Sequence, residues 1–183
     1  MPTPSANRVR IIGGSLGGRV VRFPPLAGVR PTPDRVRETV FNWLGQALTG
    51  QRTLELFAGT GVLSLESLSR GAALSVAVDA DRRAIEALRT TAQAFAVSGL
   101  ELHVTQARTY LARENRLFDV IYLDPPFADA PWPWLLPACE ARLAADGIIY
   151  AESPHPVEPG PGLVLHRHAR AGQVHYHLLA RGA

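Results

Sequence analysis

The 183-residue chain has no lysine, one cysteine and one methionine. A lone cysteine, Cys139, excludes an internal disulfide and any zinc site built mainly from thiolates. The N-terminus lacks a signal-peptide pattern, and no apolar run approaches the length of a membrane span. These absences point to a reducing, cytoplasmic setting. There is no internal repeat. Five of the six histidines lie at or beyond His155, without the further ligands a metal site needs, so no metal is expected. His175 and His177, two apart on the last predicted strand, are read as a solvated face.

What is present is arginine, which supplies all 19 basic residues. A GC-rich coding bias accounts for that preference. The placement is uneven, however. Residues 1–40 carry seven arginines against two acids, and residues 41–183 carry twelve against fourteen. A modest net charge of +3 therefore hides a basic N-terminal segment on a near-neutral body, a pattern that suits a polyanion such as nucleic acid. With 46% of its residues apolar, a chain of this length buries about two-thirds of its unfolded surface and needs no staples.

The N-terminal segment "RVRIIGGSLGGRVVRFP" sets two β-branched runs around a Gly-rich turn and predicts a hairpin over about Val9 to Phe23. A Pro-rich linker follows. "TPDRVRETVFNWLGQALTG" then predicts a helix, with Thr32 as N-cap, Pro33 at the first helical position and Gly50 after the end. From Arg52 onward short apolar runs alternate with amphipathic stretches. The runs are TLELF, LSVAVD, ELHVT, FDVIYLD, IIYAE and two more near Leu163–His166 and Val174–Leu179. Seven strands separated largely by helices imply an α/β fold. Its sheet should be mostly parallel, with helices on both faces.

Two strand ends carry chemistry. In "LELFAGTGVLSLE", Glu55 lies on a strand and Gly59 and Gly61 in the following loop, where a missing Cβ lets backbone or ligand approach. Asp79 ends the next strand, suitably placed to accept ribose hydroxyls. Ser64 stands where a dinucleotide fingerprint has its third glycine, and Glu55 is a poor neighbour for a pyrophosphate. A nicotinamide dehydrogenase is thus disfavoured. An acid there suits a cofactor with positive charge and an amino group, as in S-adenosyl-L-methionine. In "VIYLDPPF", Asp124 and the Pro125 carbonyl can accept the two hydrogens of an exocyclic amine. Pro125 and Pro126 stiffen the loop, and Phe127 offers a stacking face worth roughly 1–3 kcal/mol.

"DPPF" after a strand resembles the [DN]-P-P-[FYW] motif of amino-methyltransferases, and with "ELFAGTG" it is similar to Rossmann-like, class I S-adenosylmethionine-dependent enzymes. The blocks "RIIGG", "RPTPDRVRETVFNWL", "LELFAGTGVLSLESLSRGA", "VDADRRA", "YLDPPF", "YAES" and "AGQVHYHLL" resemble the RsmD family of bacterial 16S rRNA guanine-N2 methyltransferases. The resemblance implies a cofactor loop at Glu55, Ala58, Gly59 and Gly61 and a ribose acid at Asp79. It implies a catalytic loop of Asp124, Pro125, Pro126 and Phe127. Where such enzymes often carry an acid facing the adenine amine, this chain has "TQARTY", leaving Gln106 or the backbone near Ala107.

Arg8, Arg10, Arg30, Arg35 and Arg37 are the expected RNA contacts. Residues 1–30 would form an RNA-binding tail and hairpin, and residues 31–183 the methyltransferase domain. The expected partner is 16S rRNA within an assembling small ribosomal subunit, and the expected state is a monomer. Two rivals are an amino-methyltransferase acting on adenine or cytosine in DNA and a non-catalytic RNA-binding protein. Size disfavours the first, since DNA enzymes usually add a recognition domain. The intact Glu55, Gly59, Gly61, Asp79 and Asp124 disfavour the second.

Overall fold

The computed structural model describes residues 7–25, 32–126, 128 and 131–182. Five strands, β3 (Arg52–Leu56), β4 (Leu74–Asp79), β5 (Leu100–Val104), β6 (Phe118–Leu123) and β7 (Leu143–Ser153), run parallel. β9 (Val174–Arg181) lies antiparallel between β7 and the edge strand β8 (Leu163–Ala171), giving the order β5-β4-β3-β6-β7-β9-β8. The central strands are mostly apolar because both faces are covered. Leu54, Leu56, Ile121 and Leu123 pack with α4 (Ala107–Arg113) and α5 (Trp132–Glu140), including the buried Cys139. Ala77, Val120, Tyr122 and Tyr150 pack under α1 (Asp34–Trp43), α2 (Val62–Ser69) and α3 (Arg82–Ala94). Trp132 and Trp134 pack against the first of these clusters, and the Arg108 guanidinium lies 4.5 Å from the Trp134 ring centroid.

The strand order reverses between β3 and β6. β4 and β5 are laid down on one side of β3, and β6 returns to the other. Open α/β sheets bind ligands beyond the carboxyl ends of the strands at such a switch point. The reversal therefore brings the loop after Glu55 and the loop after Leu123 together, although 68 positions separate Glu55 from Leu123 in the chain.

The N-terminal hairpin, β1 (Arg8–Arg10) and β2 (Val20–Arg22), follows its two-residue alternation. Val9 and Val21 are buried with Val36, Phe41 and Leu65, while Arg8, Arg10 and Arg22 face outward. A polar hub ties it down. The fully buried Glu66 carboxylate accepts hydrogen bonds from Ile12 N–H at 2.9 Å and Gly13 N–H at 2.7 Å. It also accepts from Arg37 Nη1 at 3.2 Å and Arg70 Nε at 3.0 Å. Gly14 sits at φ 73° with its would-be Cβ only 1.8 Å from the Ser69 carbonyl oxygen, so any side chain there would force the hairpin off α2.

Several boundaries differ from expectation. α1 is capped by Pro33 rather than Thr32, whose hydroxyl donates instead to Glu152 at 2.6 Å. The helix stops at Trp43, not near Gly50, because Gly45 and Gln46 turn the chain through positive φ. α3 stops at Ala94, where Ala96 adopts φ 54°, rather than running to Gly99. β7 and β8 are longer than predicted.

Candidate active site at the sheet switch point

β3 and β6 deliver two acids to the same edge of the sheet. Glu55 is paired in register with Tyr122, two residues before Asp124. Glu55 is buried, and its Oε2 accepts from both the Ser64 amide at 2.9 Å and the Ser64 hydroxyl at 2.5 Å. Ser64 is thus the partner of Glu55, a role that its position in a failed glycine fingerprint did not suggest. Burial raises the Glu55 pKa from 4.5 to about 7, with the Ser64 hydrogen bonds opposing.

Gly59 and Gly61 have different reasons for lacking side chains. Gly59 (φ 53°) donates its N–H to Asp79 Oδ2 at 2.8 Å. Gly61 (φ 66°) would place a Cβ 2.2 Å from Leu88 Cδ2, so its bareness serves the packing of α3 rather than the approach of a ligand. Asp79, half-buried at the end of β4, also accepts from Asp81 N–H at 2.8 Å. One backbone donor on each carboxylate oxygen holds it at the strand end with lone pairs to spare. Ala58 and Ala107 are buried. Gln106 is exposed at the N-cap of α4, its side chain making no capping bond.

Asp124 follows β6 on the face shared by Tyr122, Tyr150 and Glu152. Among the described residues its carboxylate has neither a hydrogen bond nor a cationic partner. Its pKa is raised well above the ordinary carboxylate value by burial first, then by Glu152 and Glu55. Glu152 is itself held by the Thr32 hydroxyl at 2.6 Å and the Tyr150 hydroxyl at 2.7 Å, and burial raises its pKa too. Pro125 is buried and Pro126 exposed, and among the described residues nothing donates to the Pro125 carbonyl. Phe127 lies outside the described residues. Sequence reasoning quoted "YAES" and "RPTPDRVRE" without seeing that Glu152 and Thr32 meet beside Asp124.

This edge therefore gathers Glu55, Asp79, Asp124 and Glu152 with no cation among the described residues to balance them. Such a donor set repels a diphosphate and fits a ligand carrying an ammonium and a sulfonium. A cleft of about 490 Å³ adjoins it, lined by Arg8, Arg10, Thr32 and Asp34 among others. A second cleft, about 680 Å³, is lined partly by Ser69 to Gly71 at the C-terminal end of α2. It therefore opens at the opposite edge of the sheet, away from these acids.

The expected RNA contacts divide. Arg8, Arg10 and Arg35 are exposed, and Arg30 lies outside the described residues. Arg37 is corrected. It is 0% exposed, and its guanidinium donates to the Thr32 carbonyl at 3.1 Å, the Arg10 carbonyl at 2.7 Å, Glu66 and Asp34. With every donor directed inward it braces the hairpin and cannot meet a ligand. Arg22, overlooked in the sequence, stands directly across from Arg8. His177 is also corrected, since it is 1% exposed rather than solvated. It accepts from Val157 N–H through Nε2 at 3.2 Å, which fixes Nδ1 as the donor to the Ala151 carbonyl at 3.1 Å.

The sheet, its antiparallel inserted strand and the acid-lined switch point define a class I, Rossmann-like methyltransferase fold. The chain belongs to the RsmD family, whose family description, conserved hypothetical protein 95, matches residues 9–180. It is 36% identical to ribosomal RNA small subunit methyltransferase D of Escherichia coli K12, over 97% of this chain and 92% of that protein. The solved structure of the Escherichia coli protein yhhF superposes with a TM-score of 0.86 at 35% identity, covering 97% of this chain and 99% of that one. The Thermus thermophilus 16S rRNA methyltransferase RsmC, solved with AdoMet and guanosine, shares the fold. Its TM-score is 0.72 at 22% identity, over 100% of this chain and 52% of that one.

Proposed function

We propose that this chain transfers a methyl group from S-adenosyl-L-methionine to the exocyclic N2 amine of a guanine in 16S rRNA. The observation that carries the reading is Asp124, a half-buried carboxylate without a partner among the described residues, at the switch point beside Asp79 and the loop that runs from Glu55 to Gly59. The name of the Escherichia coli relative supports rRNA as the substrate. The N2 amine and 16S rRNA rest on the sequence resemblance.

S-adenosyl-L-methionine, when bound, supplies an electrophilic methyl group on sulfur. The residues of this chain do the rest. Asp79 accepts the ribose hydroxyls, and Glu55 faces the cationic end. A cation near Glu55 and Asp124 lowers pKa values that burial has raised, so loading the site favours the ionised form of both acids. Ionised Asp124 accepts one N–H of the substrate amine and the Pro125 carbonyl accepts the other, turning the nitrogen lone pair toward the methyl group. The charge-assisted hydrogen bond to Asp124 is worth about 1.5–3 kcal/mol, and the neutral one to the Pro125 carbonyl about 0.5–1.5 kcal/mol. Positioning then does most of the work, and the amine loses its proton after transfer. Phe127 stacks on the base. Thr32 and Tyr150 orient Glu152, which sets the charge that Asp124 meets.

Residues 1–30 serve RNA binding through Arg8, Arg10, Arg22 and Arg30, with Arg35 from α1, and the 490 Å³ cleft seats a nucleotide next to the target. Residues 31–183 carry the catalysis. The substrate is an assembling small subunit, met by a monomeric enzyme. The test is transfer of a tritiated methyl group to unmodified small-subunit RNA and subunits, followed by mapping of the modified base. Label on a guanine N2, lost with Asp124→Ala while cofactor affinity persists, is the expected result. Label on adenine or cytosine, or none on any RNA substrate, would overturn the proposal.

A further inference from the structure

The β8–β9 hairpin carries a cluster that the proposed reaction does not use. On one face of the sheet, His168 lies over both His175 and His177. The ring centroids are 5.1 Å and 4.6 Å apart and the planes within 8° and 11° of parallel. His168 Nε2 and His175 Nδ1 share one hydrogen bond at 2.9 Å. Arg170 is paired in register with His175, and its Nε donates to the Gly172 carbonyl at 2.8 Å. His177 at the base is neutral, because the Val157 N–H occupies its acceptor nitrogen and the Ala151 carbonyl its donor. His155, on the loop after β7, adds a further imidazole close enough, with His168 and Arg170, to hold the His175 pKa down. No carboxylate stands among the groups that influence His175. Burial first and then these cations disfavour its charged form.

Position matters as much as charge. His175 is in register with Ser153, the last residue of β7, and His177 with Ala151, which in turn faces Leu123 just before Asp124. The cluster therefore lies on the same edge of the sheet as Asp124. His175 and His177 are two strand spacings from β6 and His168 and Arg170 three, roughly 10 and 14 Å. The cluster occupies the opposite face from the basic N-terminal hairpin. Together the two basic surfaces bracket the acceptor, one from each side.

We propose that His168, His175 and Arg170 form a second anion site, which takes a phosphodiester of the RNA strand running over the carboxyl edge beyond Asp124. The inference rests on the RNA reading given above. Arg170 supplies a permanent charge with donors to spare, and a phosphate there offsets the burial and repulsion that disfavour the charged form of His175, which shares its hydrogen bond with His168. The neutral His177 ring is the fixed platform on which His168 stacks.

The test measures affinity for unmodified small-subunit rRNA against salt and pH, with methyl transfer kinetics alongside. It compares wild type, Arg170→Ala, His168→Gln and the double variant, with thermal unfolding as a check on folding. Both residues are exposed, so the variants should fold. Arg170→Ala should lower the slope of log affinity against log salt by about one, so that raising salt fourfold costs roughly threefold less affinity than in wild type. Wild-type affinity should rise as pH falls from about 7.5 to about 6, a dependence that His168→Gln removes. KM for RNA should rise in both with kcat unchanged, as the site is remote from the reacting atoms. A double variant with wild-type affinity, salt slope and pH profile, on RNA that wild type binds, would overturn this site alone. Wild type failing to bind RNA would overturn the site and the reading beneath it. A defect seen on assembled subunits but absent on naked RNA would also overturn it, assigning the contact to a protein surface.

Discussion

Replacing Glu55 by glutamine should change how stability depends on pH, and the structure sets the sign and the size. Glu55 is buried, with Ser64 donating both its amide and its hydroxyl, and its pKa rises from 4.5 to about 7. Below pH 4.5 the side chain is protonated in the folded and unfolded chains alike and carries no penalty. Between 4.5 and about 7 the unfolded chain ionises it while the folded chain keeps the proton, so stability falls as pH rises. Above about 7 both forms are ionised and the loss levels off. At about 1.4 kcal/mol per pH unit, wild type should lose roughly 2–3 kcal/mol between pH 5 and pH 8 that Glu55→Gln does not lose. Urea unfolding of both proteins at the two pH values gives the difference directly. Asp124 and Glu152 penalise high pH in the same sense, but they are present in both proteins and cancel except for their coupling to Glu55. The Asp124→Asn background isolates that coupling. A cationic ligand must reverse the trend, since it favours ionised Glu55. Its affinity should climb with pH up to about 7, with a proton released that calorimetry in buffers of different ionisation enthalpy can count. Parallel pH profiles for the two proteins, or binding of S-adenosyl-L-methionine without proton release, would refute the reasoning.

Asp79→Ala should weaken S-adenosyl-L-methionine binding by calorimetry, because Gly59 N–H and the ribose would both lose their acceptor, whereas unchanged affinity removes the ribose assignment. Asp124→Ala should abolish methyl transfer while leaving cofactor affinity largely intact, since it removes the acceptor for the substrate amine and leaves Glu55 and Asp79 in place. Turnover near wild type would end the amine-orienting role. Glu66→Gln should cost about 3–5 kcal/mol in urea unfolding by leaving the buried Arg37 with the half-exposed Asp34 as its remaining carboxylate partner among the described residues. A loss under about 1 kcal/mol would show that the hub contributes little to hairpin docking. Arg8→Ala with Arg22→Ala should reduce the salt slope of RNA binding by about two at constant stability, both residues being exposed. An unchanged slope would move the RNA surface elsewhere.

Much of this was legible along the chain. Short apolar runs with helical stretches between them reported a covered parallel sheet, since strands buried on both faces cannot alternate polar and apolar residues. LSVAVD is the observed β4, and the Gly-rich turn and β-branched runs did form a hairpin. Glu55, Asp79 and Asp124 were readable because each stands at a strand end, where a parallel sheet sends its ligands. Helix ends were less readable. The stops at Trp43 and Ala94 depend on Gln46 and Ala96 adopting positive φ, which their side chains did not announce.

The sequence by itself determined the layered α/β fold, the acids at the strand ends and the basic character of the N-terminal segment. All three follow from local periodicity and from residue type. Only the tertiary structure decided which charges are free to act. Arg37 and Arg35 look alike in "DRVRE", yet one is sealed against Glu66 and the other meets solvent, because helical phase turns residues two apart to different faces. Glu152 and Thr32, 120 positions apart, became neighbours of Asp124 only when β7 aligned beside β6 and α1 lay across them. Burial, and with it the protonation of these acids, depends on what covers a residue from distant parts of the chain, and no local pattern encodes that.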